Sequence, residues 1–503
     1  MHHGQCTVLS ATVRGVEVIP VSVEVVVSGG LPGISIVGMP DAAIQEARER
    51  VKAAIRAAGF TVPNEKIVIN LAPSNVRKMG SGFDVPLAVG ILAASQQIDP
   101  AWVKRTLYIG ELSLEGRVRA VSGTLACAIC AREHGSSFVC AQESDPIPLD
   151  EVPVFSLRHL GQLAQEGGAA VVLAPHGRTA RSGAVRSTVD FSEVAGQEVA
   201  KRAFQIAATG SHGLLMMGPP GSGKTMLASR IPSILPPLTM DEAIAAAVVH
   251  SVANEPIENI IAGQRPFRSP HHSATQAGLV GGGTPIRPGE ISLAHHGVLF
   301  LDELAEFRTT ALQSIRQPLE SGVVCLTRAD GTVTFPARFM LVAASNPCPC
   351  GYFGDDRHEC HCTVPQINAY QNRIGGPLMD RIDLHLDVRR IPPGQVLEAG
   401  SGTSSDQLRE GVMVGRAFAA WRSQHAGDAQ CAPVSPVDRC ALTDEARRLL
   451  VSVAELHAMS GRAMVRTLSV ARTIADMAES PEVQAGHVAE AMNFRVREGI
   501  GER

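Results

Sequence analysis

The sequence predicts an α/β protein whose core is a parallel sheet, with a mixed α+β domain before it and a helical domain after it. Three observations support this fold class. The apolar run Leu214–Met217 leads through a glycine-rich turn into a helix-forming stretch. Helices alternate with short apolar strands between residues 190 and 344, as they do when helices connect parallel strands. Residues 443–495 carry helical periodicity, with helix-start signals at Ser460 and Pro481.

The first part of the chain predicts a mixed α/β region. Residues 7–27 alternate apolar and polar side chains, which favours hairpin strands, and Asp41 is placed to cap a helix that runs to about Ala58. We expect a strand at 66–71, an apolar helix at 85–94, and strands at 107–109 and 117–121. A chain of 503 residues is too long for one core. The predicted divisions are an N-terminal domain 1–170, a linker 171–189, an α/β core 190–390 and a helical lid 391–503.

Composition excludes several classes of protein. Hydrophobic residues make up 45% and charged residues 19%, as in ordinary globular proteins, and the net charge of −4 gives no overall basic field for nucleic acid. Aromatic residues are only 4%, which argues against a base-stacking surface. Neither a signal peptide nor an apolar run of membrane-spanning length is present, so we expect a cytoplasmic protein with no membrane partner.

Residues 218–225 read Gly-Pro-Pro-Gly-Ser-Gly-Lys-Thr, the pattern of a phosphate-binding loop between a strand and a helix. The glycines let the backbone aim its N–H groups at phosphate oxygens, and the helix adds its positive dipole end. Lys224 is expected to reach the β- and γ-phosphates of ATP, and Thr225 to bind Mg²⁺. The residues predicted to contact the nucleotide are Gly218, Pro219, Pro220, Gly221, Ser222, Gly223, Lys224, Thr225 and Met226.

A second apolar strand, residues 298–301, ends in Asp302 and Glu303. The carboxyl ends of parallel strands meet at one sheet edge, so both carboxylates are expected beside the phosphates. We expect Asp302 to hold Mg²⁺ and Glu303 to deprotonate the attacking water. Asn346 follows the next central strand and is expected to contact the γ-phosphate or that water. The sequence therefore predicts an ATP hydrolase.

These features resemble a known family. Residues 190–197, the phosphate loop, the Asp-Glu strand and Asn346 are similar to those of AAA+ ATPases. More narrowly, the chain resembles the magnesium-chelatase-like branch and its ComM/YifB family, over essentially its whole length. The resemblance implies a homo-oligomeric ring, usually a hexamer, with ATP bound between subunits. The segments that support the narrower resemblance are 33–38, 268–272, 288–297 and 378–383.

The same resemblance assigns roles to arginines. Arg381 is expected to be the finger that completes the neighbouring subunit's site, and Arg373 is the alternative. A surface salt bridge is the simpler interpretation of each, and it suits Arg373 better. Arg462 is chosen over Arg466 as the lid arginine that contacts the nucleotide of its own subunit.

Two segments are expected to touch a substrate. Residues 323–335 alternate around Asp330-Gly331, which predicts a hairpin. By resemblance to the clade of minichromosome-maintenance helicases, this hairpin projects into the pore of the ring and Arg328 contacts DNA phosphates. An exposed arginine on a surface hairpin is the alternative. Residues 278–287 are expected to form a second pore loop.

The 11 cysteines include one cluster, Cys348, Cys350, Cys360 and Cys362. Four thiolates can close a tetrahedral zinc site, with His358 or His361 as substitutes for one thiol and free or redox-active thiols as the alternative. Adjacent histidines on a strand point to opposite faces, so the pairs at 271–272 and 295–296 are interpreted as structural.

The N-terminal domain resembles the C-terminal fold of Lon proteases (ribosomal S5-type). Gly82 stands at the position of the protease serine, with Ser81 one residue away, and Leu125 stands at the position of the lysine. Because no base is present, we expect no protease activity. A basic lining for DNA and a solvated face are equal interpretations of Arg77, Lys78, Arg117 and Arg119.

The predicted function is ATP-driven translocation on branched or single-stranded DNA, specifically branch migration in homologous recombination or natural transformation. One alternative is a chelatase-type motor that remodels a protein partner for metal insertion into a porphyrin. Another is an inactive nucleotide-dependent scaffold. The presence of Lys224, Asp302, Glu303 and Arg381 argues against the scaffold.

Overall fold

The protein is described here by a computed structural model. The described residues are 4–164, 173–176, 189–328, 331–392, 394, 402–425 and 440–495. Most of the predicted linker 171–189 lies outside them, as does Asp330 of the predicted hairpin turn. Among the described residues, no helix has both the length and the apolar character that crossing a bilayer requires.

The N-terminal region folds around a mixed sheet. Among the described residues, eight of its strands pair in the order β10-β9-β8-β5-β1-β2-β4-β3, and β6 pairs with β7 alone. Val21, Val23 and Val25 are fully buried while Glu24 is exposed, so the predicted alternation faces one side of β2 into the core. The strands are β1 Gly4–Arg14, β2 Glu17–Ser28, β3 Gly33–Val37, β4 Lys66–Ala72, β5 Thr106–Tyr108, β6 Glu111–Leu112, β7 Val118–Arg119, β8 Ser137–Ala141, β9 Val154–Leu157 and β10 Ala174–Pro175.

Helices cover this sheet. The predicted cap at Asp41 is confirmed, because its Oδ1 accepts a hydrogen bond from the Ile44 amide at 2.9 Å. The predicted apolar helix is also confirmed, and every residue of it is buried. The helices of this region are α1 Ala42–Ala57, α2 Asp84–Ala94, α3 Pro100–Val103 and α4 Thr124–Glu133.

The core of the chain is a wholly parallel sheet, as predicted. Among the described residues, its strands lie in the order β12-β15-β18-β11-β19. The strands that lead to the phosphate loop, to Asp302 and to Asn346 are therefore close together at one edge, with β18 between the other two. The bounds are β11 Leu214–Met217, β12 Phe267–Arg268, β15 Val298–Leu301, β18 Met340–Ser345 and β19 Leu384–Asp387.

Two small hairpins lie outside this sheet, β13 Gly281–Gly282 with β14 Arg287–Pro288 and β16 Val323–Arg328 with β17 Gly331–Pro336. The core helices are α5 Glu198–Gly210, α6 Lys224–Ile234, α7 Met240–Ala253, α8 Glu258–Ile261, α9 Gln276–Val280, α10 Glu290–Leu293, α11 Thr309–Ser321, α12 Val364–Asn372 and α13 Gly376–Met379. Of the core helices, α5 and α6 share one hydrophobic cluster with the sheet, α9 to α13 share a second, and α7 and α8 pack with the N-terminal region.

The C-terminal region is helical, as predicted, and its helices share a hydrophobic core with the sheet. Ser460 caps α16, since its Oγ accepts a hydrogen bond from the Ala463 amide at 3.2 Å. The helices are α14 Ser405–His425, α15 Asp444–Leu456, α16 Gly461–Met477 and α17 Ala485–Asn493.

The N-terminal region contacts the core at two places. Buried side chains of α4 and β8 pack with Ala243, Ala246 and Ala247 of α7 in one apolar cluster. The turn between β1 and β2 reaches the β16–β17 hairpin, where a Cβ atom at Gly15 would lie 2.3 Å from Val333 Cγ1. Glycine is therefore required at this contact.

Candidate nucleotide site

The glycine-rich loop 218–223 forms a cradle between β11 and α6. Gly221 and Gly223 have φ angles of 76° and 91°, a left-handed conformation that glycine adopts without strain. A Cβ atom at Gly218 would lie 2.2 Å from the Val388 carbonyl oxygen, so only glycine fits there. The Ser222 hydroxyl is buried and has no hydrogen-bond partner among the described residues. The backbone and the open space around Gly221 and Gly223 fit a bound phosphate chain.

The Lys224 side chain lies over this loop. Its Nζ donates hydrogen bonds to the carbonyl oxygens of Gly218 at 2.7 Å and Pro219 at 3.0 Å, and to Asn346 Oδ1 at 3.3 Å. Burial lowers the pKa of Lys224, and the nearby Asp302 carboxylate opposes that shift. An ammonium group held by neutral oxygens can exchange them for phosphate oxygens at little geometric cost.

Thr225 and Asp302 are brought together across the sheet edge. Thr225 Oγ1 donates a hydrogen bond to Asp302 Oδ2 at 2.6 Å, and Asp302 Oδ1 accepts one from the Glu303 amide at 2.8 Å. A hydroxyl and a carboxylate at this spacing suit Mg²⁺, which prefers oxygen ligands. Met226, the next residue on α6, is exposed beside the loop.

Glu303 has a partner that sequence reasoning missed. Its Oε2 lies 2.9 Å from His272 Nδ1, and its backbone is left-handed with a φ of 52°. The expectation that His272 is only structural is incomplete, because its ring contacts the predicted catalytic base. The useful signal was its position, between strand β12 and the predicted second pore loop.

The other histidines also have contacts within the chain, but the expectation that adjacent rings point to opposite faces of a strand is wrong. Neither pair lies on a strand, and the ring centroids of the pairs are 4.1 and 4.0 Å apart. His295 Nδ1 accepts a hydrogen bond from the Arg338 amide at 3.1 Å, and burial lowers the pKa of His295 to about 3. His271 Nδ1 lies 2.8 Å from Ser273 Oγ.

Arg381 lies at the amino ends of the parallel strands, whereas the phosphate loop lies at their carboxyl ends. It precedes β19, and its Nε lies 2.9 Å from Glu320 Oε1 at the end of α11. The two ends of β11 are about 13 Å apart, because each of its 4 residues advances the strand by ~3.3 Å. Arg381 therefore cannot reach its own nucleotide. Arg373, the alternative, pairs with Glu306 at 3.4 Å on the surface, which fits the salt-bridge interpretation.

The expectation that Arg462 contacts the nucleotide of its own subunit is wrong for this arrangement of the lid. Arg462 Nη2 lies 3.7 Å from Glu320 Oε1, beside Arg381. One turn further along α16, Arg466 Nη1 donates a hydrogen bond to Asp383 Oδ1 at 2.5 Å, at the start of β19. The lid is thus anchored to the edge that lies away from the phosphate loop. Arg462 and Arg381 lie together at that edge, where the Arg462 side chain is exposed and the Arg381 side chain is mostly buried.

The two predicted pore segments lie side by side. A Cβ atom at Gly282 would lie 3.5 Å from Arg328 Nη2, so the guanidinium group reaches the β13–β14 hairpin. Arg328 is exposed at the end of β16. Arg14 of the N-terminal region approaches the β16–β17 hairpin near Gly331, next to Arg328. Positive groups from both regions therefore meet there.

The four cysteines of the predicted zinc site, Cys348, Cys350, Cys360 and Cys362, lie together, with their sulfur atoms all within 4.8 Å of one another. His358 is not part of it, because its Nδ1 lies 3.0 Å from Asp355 Oδ2 and its ring stacks on Tyr352. Burial alone raises the pKa of Cys350, but hydrogen bonds from the Tyr352 amide and the neighbouring thiols lower it to about 6. The group can therefore supply thiolates.

In the N-terminal region, Ser81 Oγ donates a hydrogen bond to Glu111. Leu125 is fully buried. Lys78 is also fully buried and donates hydrogen bonds to the carbonyl oxygens of Gly38, at 3.0 Å, and Pro73. Neither of the two interpretations, a basic lining or a solvated face, is right for Lys78, since its ammonium group does not reach the surface. Arg77, Arg117 and Arg119 are exposed.

Comparison with protein families gives three matches along the chain. The family described as "Magnesium chelatase, subunit ChlI" matches residues 190–396. "Subunit ChlI of Mg-chelatase" matches residues 23–144, and "Magnesium chelatase, subunit ChlI C-terminal" matches residues 402–495. Together they span the N-terminal region, the core and the lid.

Individual relatives are similar over nearly the full length. YifB of Salmonella typhimurium is 40% identical over 485 residues, which cover 96% of this chain and 95% of that protein. Competence protein ComM of Haemophilus influenzae is 39% identical over 498 residues, 97% of each chain. A more distant relative, the magnesium-chelatase 67 kDa subunit of Chlorobaculum parvum, is 28% identical over 161 residues, 32% of this chain and 23% of that protein.

Proposed function

This chain belongs to the magnesium-chelatase-like ComM/YifB family of AAA+ ATPases, and we propose that it is a ring-shaped motor that drives branch migration of DNA. The observation that carries the proposal is the meeting of Lys224, Asp302 and Glu303 at one sheet edge, beside hairpins that expose Arg328. Lys224, Asp302 and Glu303 hydrolyse ATP, and the hairpins with Arg328 bind DNA. Recombination or natural transformation is the process in which we place this activity.

The residues of the site have different roles in ATP hydrolysis. The loop amides and Lys224 would hold the phosphates in line, and Thr225 and Asp302 would hold Mg²⁺, which would shield the phosphate charge. Glu303 takes a proton from the attacking water as the water oxygen bonds to the γ-phosphorus. The bond to the β-phosphate oxygen breaks, and ADP leaves. Asn346, hydrogen-bonded to Lys224, is placed to orient the γ-phosphate or the water.

We propose that the neighbouring subunit supplies a further cation, beyond Lys224 and Arg390 of the same chain, for the charge that develops on the outer side of the γ-phosphate. Arg381 and Arg462 stand together on the opposite edge of the same core. When subunits pack edge to edge in a ring, both guanidinium groups face the next subunit's phosphate loop. A hexamer is the assembly that we expect from the AAA+ relationship.

DNA is the substrate that fits the hairpin pair. Arg328 offers a charged, bidentate contact for phosphate, and the glycine-rich β13–β14 segment lets a second element move beside it. Since the chain carries a net charge of −4, such a local cluster has to provide the attraction to DNA.

The test is ATP turnover with and without forked or four-way DNA, together with strand displacement. We expect DNA to stimulate turnover, and Lys224→Ala to abolish turnover under both conditions. Arg328→Ala is expected to spare basal turnover and to weaken DNA stimulation, since it removes a phosphate contact. Arg447→Ala, an exposed lid arginine, is the matched control and should behave as the natural chain. If DNA neither binds nor stimulates, the motor has another substrate.

A second candidate, a motor that remodels a protein partner for metal insertion into a porphyrin, is favoured by the chelatase families that match the chain. The match to the 67 kDa chelatase subunit covers only 23% of that protein, so the chain shares a part of it. Stimulation of turnover by porphyrin or a chelatase subunit, in the absence of any response to DNA, would support this candidate.

A further inference from the structure

We propose that Cys348, Cys350, Cys360 and Cys362 bind one zinc ion, and that this ion holds the phosphate loop and Asn346 in their working positions. The inference rests on the proposed ATPase site and adds a metal requirement to it. Zinc with Zn–S bonds of ~2.3 Å places its four sulfurs about 3.8 Å apart. The Sγ atoms of Cys348 and Cys360 are 3.7 Å apart, those of Cys350 and Cys360 3.6 Å, and those of Cys348 and Cys350 3.3 Å. The thiols are thus already spaced for a tetrahedral ion.

The segment that carries the thiols is built to turn around them. Gly351 and Gly354 have φ angles of 86° and 78°, which reverse the chain between the two cysteine pairs. The Phe353 amide donates a hydrogen bond to Cys348 Sγ at 3.3 Å, so the backbone stabilises negative charge on that sulfur.

Packing alone does not account for this order. Residues 346–363 contain no helix or strand, and Cys348 is fully buried while the other three thiols are only partly buried. Phe353, the largest apolar side chain of the turn, is exposed. Ordering such a segment costs about 1–2 kcal/mol of backbone entropy per residue. A bound ion stabilises the turn instead, as each thiol that binds loses its proton to solvent.

The turn contacts the nucleotide site directly. Cys348 follows Asn346 by two residues, and Asn346 Oδ1 accepts a hydrogen bond from Lys224. A Cβ atom at Gly351 would lie 2.7 Å from Pro220 Cδ, so the backbone directly after the second cysteine rests on the phosphate loop. The ion therefore fixes one wall of the site.

The turn also positions a cation. Arg390 Nε lies 3.2 Å from Asp355 Oδ2, and its guanidinium carbon lies 5.9 Å from the centre of the Tyr352 ring. Asp355 and Tyr352 both belong to the segment between the cysteine pairs. Loss of the ion would release Arg390 together with Asn346, so turnover should fall more than nucleotide binding.

The experiment measures zinc per chain by elemental analysis and ATP turnover on the same freshly purified, reduced protein. We expect one zinc per chain in the natural protein and in the control Cys6→Ser, whose thiol lies in β1. In Cys360→Ser we expect loss of zinc and a fall in kcat of roughly tenfold or more. Its nucleotide affinity should change less than its kcat, which a merely unfolded protein would not show.

Reversible removal of the metal from the natural protein is a second test, in which misfolding of a variant cannot explain the result. A thiol-reactive mercurial should release the zinc and lower turnover, and excess thiol with added zinc should restore both. Lys224→Ala should keep its zinc while losing turnover, which separates failure of the metal site from failure of the ATPase. Full turnover without stoichiometric metal, iron in place of zinc, or unchanged turnover after complete loss of zinc would each overturn the proposal.

Discussion

At the scale of single residues, the two carboxylates at the end of β15 have different partners. Asp302 is held on both oxygens, by Thr225 and by the Glu303 amide, and is fixed in place. Glu303 is held by the His272 ring alone among the described residues. A carboxylate whose oxygen faces an imidazole at 2.9 Å is less free to accept a proton from water. His272 also stands at the start of the segment that continues into the β13–β14 hairpin.

His272→Ala is therefore expected to raise basal ATP turnover severalfold, since general bases are worth roughly 10²–10⁴ in rate and Glu303 is partly withheld. The measurement is kcat without DNA. His271→Ala is the matched control, because that ring contacts Ser273 and should leave the rate unchanged. If His272→Ala loses turnover as completely as Glu303→Gln, then His272 orients the base and does not restrain it.

At the scale of elements, Asp383 joins the lid to the core. Its carboxylate accepts hydrogen bonds from the Gly213 amide at 2.9 Å and from Arg466, and it lies 3.6 Å from His212 Nδ1. Burial alone raises its pKa, but the hydrogen bond from His212 and the charge of Arg466 lower the pKa of Asp383 to about 2. One side chain thus connects β11, β19 and α16.

We expect Asp383→Asn to lower the free energy of unfolding of the lid by about 3 kcal/mol, the cost of breaking a buried ion pair. Because the folded pKa lies below the unfolded value of about 3.9, this stabilisation is present above about pH 4 and is lost as pH falls towards 2. Urea unfolding, followed by fluorescence of Trp421 on α14 in a Trp102→Phe background, measures it.

Asp406→Asn is the control for that experiment, since its ion pair with Arg409 is on the surface and contributes little. The difference between Asp383→Asn and the natural chain should shrink between about pH 4 and pH 3. A difference that stays constant over this range would mean that the carboxylate charge is not what anchors the lid.

The same elements show how far the sequence alone could lead. The strand–loop–helix at residues 214–228 was predictable because glycine spacing and apolar runs are local signals. Helix α14, 21 residues long, was not predicted, since the exposed apolar residues Met413, Val414 and Trp421 obscure the buried stripe of Leu408 and Val412. The position of Arg462 depends on how the lid docks, through Asp383 and Arg466, and such a contact between distant residues leaves no local signal.

At the scale of the whole molecule, the candidate nucleotide site and the two hairpins that we propose to bind DNA share one hydrophobic cluster of the α/β core. The phosphate loop lies at one end of the parallel strands and Arg381 at the other, so in the proposed ring each subunit would contribute to two different sites. The N-terminal region rests on the same core through α7 and touches the β16–β17 hairpin at Gly15. In the proposed ring, a shift of one subunit against its neighbour would therefore move the hairpin and its N-terminal support together.

This division predicts complementation between two inactive variants. Arg381→Ala should keep ATP binding but lower hydrolysis on the order of 10³-fold, since the neighbour's site loses its cation. Glu303→Gln should also be inactive. A mixture should recover activity, because a mixed ring contains joints where an intact Glu303 faces an intact Arg381. Arg373→Ala, which removes only a surface pair with Glu306, is the control and should stay active. Turnover by Arg381→Ala alone, or a mixture as inactive as its parts although the subunits exchange, would mean that each subunit completes its own site.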